Sequence, residues 1–177
     1  MAGTISQFKS SFKTDLARPS RFDVLIPVPI ILFASPLVTS RSLLYRCETA
    51  QLPGRTLATA DQRIYGPTEK YPYQTTYEDL ELSFIVTSDM VEKYLFDSWI
   101  EKINPSSTNN FEYKYNYSTT ITVNQYDSTD ELVYSADFIE AYPIAVNQLD
   151  LDWSQNDSYH KLTVVFAYTR WFNRTEI

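Results

Sequence analysis

The sequence predicts a mainly β fold, a β-sandwich or barrel with one flanking α-helix. Three observations predict it. Short runs of alternating apolar and polar residues recur along the chain, about eight to ten of them, separated by Pro, Asn, Asp and Ser breaks. One segment alone, residues 89–103, sustains a strong helical period. The 14 tyrosines and 10 phenylalanines supply strand formers, while glycine numbers only 3. The length of 177 residues suits a single domain. Residues 1–20 read as an N-terminal arm with a short helix, and residues 21–177 as one β domain. Folding a chain of this size buries roughly 70% of its unfolded surface, enough for a true core.

The elements follow in order. Ile5, Phe8, Phe12 and Leu16 recur at helical spacing, with Lys9 and Lys13 between them, so residues 4–16 read as a short amphipathic helix that Pro19 stops. Residues 21–27 read as a strand with Phe22, Val24 and Ile26 on one face. The apolar stretch 24–38 holds Pro27, Pro29 and Pro36. It is short for a membrane span of about 20 residues, and its prolines would break a helix. Residues 27–36 therefore read as an edge, a hairpin arm or a loop. Residues 43–49 read as a strand, and Leu52-Pro53-Gly54 as a turn.

Residues 54–78 show no helical period but carry Gly54, Gly66, Pro67 and Pro72, with Tyr65, Tyr71, Tyr73 and Tyr77. So long a segment without a core pattern is often functional. It reads as an extended arm or long hairpin packing on something else. Ile64 and the four tyrosines are its candidate contact residues, because tyrosine offers large amphipathic area at interfaces.

Residues 80–86 alternate Leu80, Leu82, Phe84 and Val86 against Glu81, Ser83 and Ile85, a half-buried strand. Ser88 or Asp89 is placed to cap the helix over 89–103, with Glu92 three residues after Asp89. Its expected buried stripe is Val91, Leu95, Trp99 and Ile103, with Tyr94 and Ser98 beside it, and Asn104-Pro105 ends it. Residues 104–110 read as a loop, and 111–117 and 119–126 as strands. A turn at 127–130 leads to a strand over 132–141. A short strand over 149–153 and a polar turn over 154–158 precede a strand over 161–171, apolar on both faces.

The composition excludes much chemistry. With 22 acidic and 15 basic residues the net charge is −7, which disfavours a dedicated duplex-binding surface, since phosphates need Lys and Arg. One cysteine, Cys47, permits no intrachain disulfide and reads as a buried structural thiol. The N-terminus lacks the continuous apolar core of a secretion signal. No glycine cluster forms a phosphate cradle. His160, the one histidine, has no Cys or His partner at ligand spacing and reads as an exposed turn residue. Asp150 and Asp152 share one side of a short segment, as a paired-acid or calcium site would, but read as solvated turn charge. Trp99, Trp153 and Trp171 are candidates for a sugar-stacking platform, although Trp99 falls on the helix stripe. No catalytic, cofactor or metal residue is expected, and no cofactor.

Four places in the chain carry a resemblance. They are Ala17-Arg18-Pro19-Ser20-Arg21-Phe22-Asp23-Val24; Cys47-Glu48-Thr49-Ala50-Gln51-Leu52-Pro53; Tyr77-Glu78-Asp79-Leu80 with Asp89, Phe96 and Trp99; and Leu149-Asp150-Leu151-Asp152-Trp153 with the final strand to Trp171. In order and spacing, over residues 17–171, the chain resembles the tail tube proteins of contractile-tailed bacteriophages, a fold shared with type VI secretion inner tubes. The stretch 27–42 departs from that pattern by its length.

The resemblance implies a tail tube-like fold and a structural role without enzymatic activity. Six copies would form a ring, and rings would stack into a tube within a sheath, with phage DNA passing through the lumen. Sheath and baseplate proteins would be the partners, the virion tail the location, and the host cytoplasm the place of assembly, with no membrane. A tube-initiating or baseplate member of the same fold is the near alternative, and a monomeric β-sandwich carbohydrate-binding module a more distant one. An acidic lumen would let DNA slide. Glu81, Asp127, Asp130 and Glu131 are its candidate acids.

Overall fold

The computed structural model describes residues 5–11, 16–32, 40–63, 65–154 and 157–176. In chain order the elements are α1 (Ile5–Ser11), β1 (Phe22–Leu25), α2 (Ser40–Arg46), β2 (Cys47–Ala50), β3 (Thr56–Gln62), β4 (Glu69–Thr76), β5 (Leu80–Ile85), α3 (Val91–Ile103), α4 (Lys114–Tyr117), β6 (Thr119–Tyr126), β7 (Leu132–Val146), β8 (Lys161–Ala167) and β9 (Arg170–Asn173). Single 3₁₀ turns occupy Ile30–Leu32 and Arg174–Glu176.

Seven strands form one antiparallel sheet in the order β1-β6-β7-β8-β5-β2, with β9 also pairing β7. β7 organises it. Its first half pairs β6 and β9, and its second half pairs β8. The bend between the halves falls at Glu140, whose φ of 55° is left-handed, and at a register shift between Pro143 and Ala145. Bulges and bends of this kind let one strand serve two sheet directions. The Glu140 carboxylate is tied across the bend, accepting from Lys114 Nζ at 2.6 Å and Thr169 Oγ1 at 2.7 Å. These bonds, Lys114 first, hold its carboxyl below the usual range. The sheet curls far enough that its outermost strands, β1 and β2, approach each other.

The concave side is apolar. Leu80, Leu82 and Phe84 of β5 face Leu162, Val164 and Phe166 of β8, and all are buried. Val24, Ile121, Val123 and Phe138 complete the wall. α3 closes this core with Leu95, Phe96, Trp99 and Ile103. The Phe96 and Phe166 rings meet edge to face at 5.9 Å, and Trp99 meets Phe166 at 6.2 Å.

Several elements depart from the sequence expectation. Residues 40–46 are helix, so the strand expected over 43–49 begins only at Cys47. Leu43 is buried, and Arg46 reaches Glu92 on α3, so tertiary contacts override local strand preference. The strand expected over 111–117 is a loop ending in α4, fixed where Trp99 Nε1 donates to the Tyr117 carbonyl at 2.9 Å. Residues 149–153 form no strand. The strand expected over 161–171 breaks at Tyr168 and Thr169, opposite the β7 bend, into β8 and β9.

The α3 N-cap is Met90 in a left-handed conformation, not Ser88 or Asp89. Glu92 instead turns inward. Its carboxylate accepts from the Thr87 backbone N–H and from Thr87 Oγ1, both at 3.1 Å, and pairs with Arg46. With Glu92 inward, Phe96 joins the buried stripe, whereas Val91 is only half-buried and Tyr94 is exposed.

Residues 26–32, the described part of the proline-rich stretch beyond β1, form a covering loop. Ile26, Leu32 and Leu43 pack toward Leu95 and Trp99, and Lys102 Nζ donates to the Ile31 carbonyl at 2.8 Å. Residues 33–39 and 12–15 lie outside the described residues.

Candidate assembly interface

β3 and β4 pair only with each other and stand apart from the main sheet. Their residues are exposed on both faces, Ala58 alone being half-buried. The register runs from Thr56 opposite Thr76 to Gln62 opposite Glu69, with a bulge between Ala58 and Thr59. Gly66 sits in the connecting loop at φ 85°, where only glycine is unstrained. Tyr65 is 96% exposed, and Leu57, Tyr71 and Tyr73 are also open to solvent. Tyr71 Oη donates to Glu69 Oε2 at 2.6 Å, which holds the phenol above its usual range.

The base of this hairpin is fixed to the core. The Arg55 guanidinium lies 4.8 Å over the Trp171 ring and 5.9 Å from that of Tyr77. Trp171 Nε1 donates to the Gly54 carbonyl at 3.0 Å. Tyr77 leads inward to Tyr168, and Tyr168 meets Phe138 edge to face at 4.9 Å. Tyr77 is therefore an anchor residue, while Tyr65, Tyr71 and Tyr73 are the exposed ones. Ile64 lies outside the described residues. The aromatic anchor was not legible in the sequence, since it joins residues more than a hundred positions apart.

The four candidate lumen acids do not form one cluster. Glu81 lies on β5, exposed on the face away from the core. Asp127, Asp130 and Glu131 lie at the β6–β7 turn. Asp127 accepts from the Glu131 N–H at 2.9 Å and the Thr129 N–H at 2.7 Å, and these bonds keep its carboxyl below the usual range. Asp130 pairs with Arg21. These two acids shape their own turn, leaving Glu81 and Glu131 as acids with no such structural duty visible.

Residues considered for chemistry are partly gathered. Asp150, Asp152, Trp153 and His160 line one open cleft of about 290 Å³. Among the described residues no group of three His, Cys, Asp or Glu side chains could hold a metal ion. Asp152 accepts from the Ser154 backbone and hydroxyl, both at 2.9 Å, a local turn that draws its carboxyl below the usual range. The three tryptophans form no common platform: Trp99 is buried, Trp171 lies under Arg55, and Trp153 stands fully exposed. Burial pushes the Cys47 thiol up to about 12. No helix among the described residues is long and apolar enough to cross a membrane.

The molecule is thus a curled antiparallel sheet closed by one helix, with a hairpin anchored at its base and exposed along its length. The sequence matches the phage tail tube protein family over residues 17–174, and the chain belongs to that family. It is a structural protein of the tail tube type, without enzymatic activity. No curated protein matches it significantly.

Among solved structures, the fold is similar to a chain of the extracellular contractile injection system PVC in its sheath/tube terminator structure. The TM-score is 0.63 and the identity 17%, covering 92% of this chain and 99% of the other. A chain of the PVC sheath-tube complex in the extended state gives 0.62 at 17% identity, covering 98% and 99%. A chain of the tube-terminating cap of the anti-feeding prophage gives 0.62 at 17%, covering 91% and 92%.

Proposed function

We propose that this chain is the subunit of the inner tube of a contractile phage tail, forming hexameric rings that stack around a lumen conducting DNA. The observation that carries the reading is the β3–β4 hairpin, with its base locked by Arg55, Tyr77 and Trp171 and its tyrosines open. A two-stranded hairpin is marginal alone in water. Docking on another copy would cover both its apolar side chains and its unpaired backbone edges. β1, β2 and β9 each pair on one side only among the described residues, and joining them across copies would close the ring. Sheath and baseplate proteins would engage the assembled tube. Assembly would take place in the host cytoplasm.

The net charge of −7 accords with a lumen that does not retain DNA. Glu81 and Glu131 are the acids proposed to face it, with Asp127 and Asp130 supporting the turn beside Glu131. Reversing Glu81 and Glu131 to lysine should leave tubes intact and slow DNA ejection from virions; an unchanged ejection rate counts against the lumen assignment.

A second reading, a tube-initiating or baseplate member of the same fold, is favoured by one observation. The similarity extends about equally to the PVC sheath-tube complex and to the anti-feeding prophage baseplate, both with TM-scores of 0.62. Sedimentation velocity over a concentration series separates the two. A tube subunit grows without limit as concentration rises, whereas an initiator stops at one ring. A monomer at every concentration, even with a preformed ring as seed, contradicts both.

A further inference from the structure

β3 and β4 are not equivalent as edges. Among the described residues each pairs only with the other, so each has one side whose backbone N–H and C=O groups face no strand. On β4 that side is blunted twice. Pro72 stands opposite Thr59, and a proline in a paired strand turns its nitrogen away from the partner, so an incoming strand finds no N–H there. The register also passes from Gln74, opposite Ala58, to Pro72, opposite Thr59, leaving Tyr73 as the extra residue of a bulge that bends this strand. β3 carries neither device. Its seven residues, Thr56–Gln62, are all paired and include no proline or glycine. Thr56, Ala58, Thr59 and Ala60 are small enough to let another backbone come close. Prolines and bulges are the devices that prevent strand addition, so their confinement to β4 leaves β3 as the edge open to it.

We propose that β3 adds as a strand to the β9 edge of the neighbouring copy in the ring, with β4 on the far side. The inference rests on the ring reading above and names the two strands that make its joint. Two observations select β9 among the strands of the main sheet that pair on one side only. β1 and β2 approach each other as the sheet curls, so each narrows access to the other. β9 has no such strand facing it, its one partner being β7. Charge points the same way. Asp61 is the one charged side chain of β3. β1 carries Asp23 and β2 carries Glu48, whereas β9 opens on the cation Arg170. Opposite charges on facing strands stabilise a sheet and like charges oppose it. The acids of β7 beside β9 are already bonded within their own chain, Glu140 to Lys114 and Thr169, and Asp137 to Thr122.

The test uses the full chain with Cys47→Ser and Phe172→Cys, and scans a second cysteine through Leu57, Ala58, Ala60, Asp61 and Gln62 of β3. A matched set carries the second cysteine at the β4 residue opposite each of these. Asn173→Cys replaces Phe172→Cys if the latter lowers the melting temperature. A disulfide needs Cα atoms within about 7 Å, and β3 paired with β9 would lie about 5 Å away while β4 would lie about 10 Å away. Mild oxidation of the assembled protein should therefore link copies from at least one β3 position into a ladder ending at six chains. The β4 set should link at least about tenfold less. Equal or stronger linking from β4 overturns the choice of edge. No linking from any β3 position, while rings are visible by electron microscopy, overturns the pairing with β9 and leaves the ring reading standing. A ladder passing six chains places the contact between rings and overturns the joint within one. A parent protein that forms no ring, alone or seeded with preformed tube ends, removes the ring reading itself.

Discussion

Glu92 is 1% exposed and carries the one ionic link between α2 and α3 seen among the described residues. Its two oxygens are held by Arg46 and Thr87, so the carboxylate is fully engaged in a site with no water access. Arg46→Ala would leave that carboxylate without its cation, and chemical denaturation should show a loss of about 3 kcal/mol. Trp99→Ala removes an indole packed against Phe96 and Phe166 and should cost about 3–5 kcal/mol by the same measurement. Cys47 tests burial directly. With its half-buried thiol pushed up to about 12 by burial, alkylation of the native protein should be far slower than after unfolding. The acids at bends and turns set the response to pH. Glu48, Glu140, Asp127 and Asp152 all sit below their ordinary values because folding supplies cations or N–H donors. A depressed carboxyl contributes stability above its unfolded value and loses it as pH falls through the folded value. The melting temperature should therefore decline below about pH 4.5, starting with Glu48 and Glu140.

Among the elements, the hairpin is separable from the core because β3 and β4 contribute no residue to the buried cluster. Replacing residues 56–76 with a short Gly-Ser turn should leave circular dichroism otherwise native and abolish assembly. Wholesale loss of β-structure would show that the hairpin is part of the fold. The same element shows what a sequence conveys. Alternation was legible where one strand face is buried, as in β5 with Leu80, Leu82 and Phe84, since a period of two follows from the pleat itself. The hairpin left its trace as a stretch without a core pattern because it lacks any buried face. Its aromatic anchor was not legible, because cation–π and indole contacts between Arg55, Tyr77 and Trp171 leave no periodic trace. Residues 40–46 misled for a related reason. Leu43, Leu44 and Tyr45 favour strand locally, but the Leu43 pocket and the Arg46–Glu92 pair reward helix only once α3 is in place. The bend of β7 was equally hidden, because Glu140 gives no hint in sequence of a left-handed backbone. Glu140→Val should lower the melting temperature more than Glu140→Asn, since asparagine tolerates that conformation and a β-branched residue does not.

For the whole molecule, exposed apolar side chains lie on the hairpin with Leu57, Tyr65, Tyr71 and Tyr73, on the loop of Leu151 and Trp153, and also on α1, at Tyr45 and along Phe111, Tyr113 and Tyr115. Such a distribution suits a subunit that folds first and assembles afterwards. Membership of the tail tube family sets the structural role, and the anchored hairpin is the feature that would turn a folded chain into a polymer. Negative-stain electron microscopy of the purified protein, dilute and concentrated, tests this most directly. Rings with a central hole should appear and stack into tubes as concentration rises. Monodisperse monomers at every concentration, persisting after addition of preformed tube ends, would contradict it.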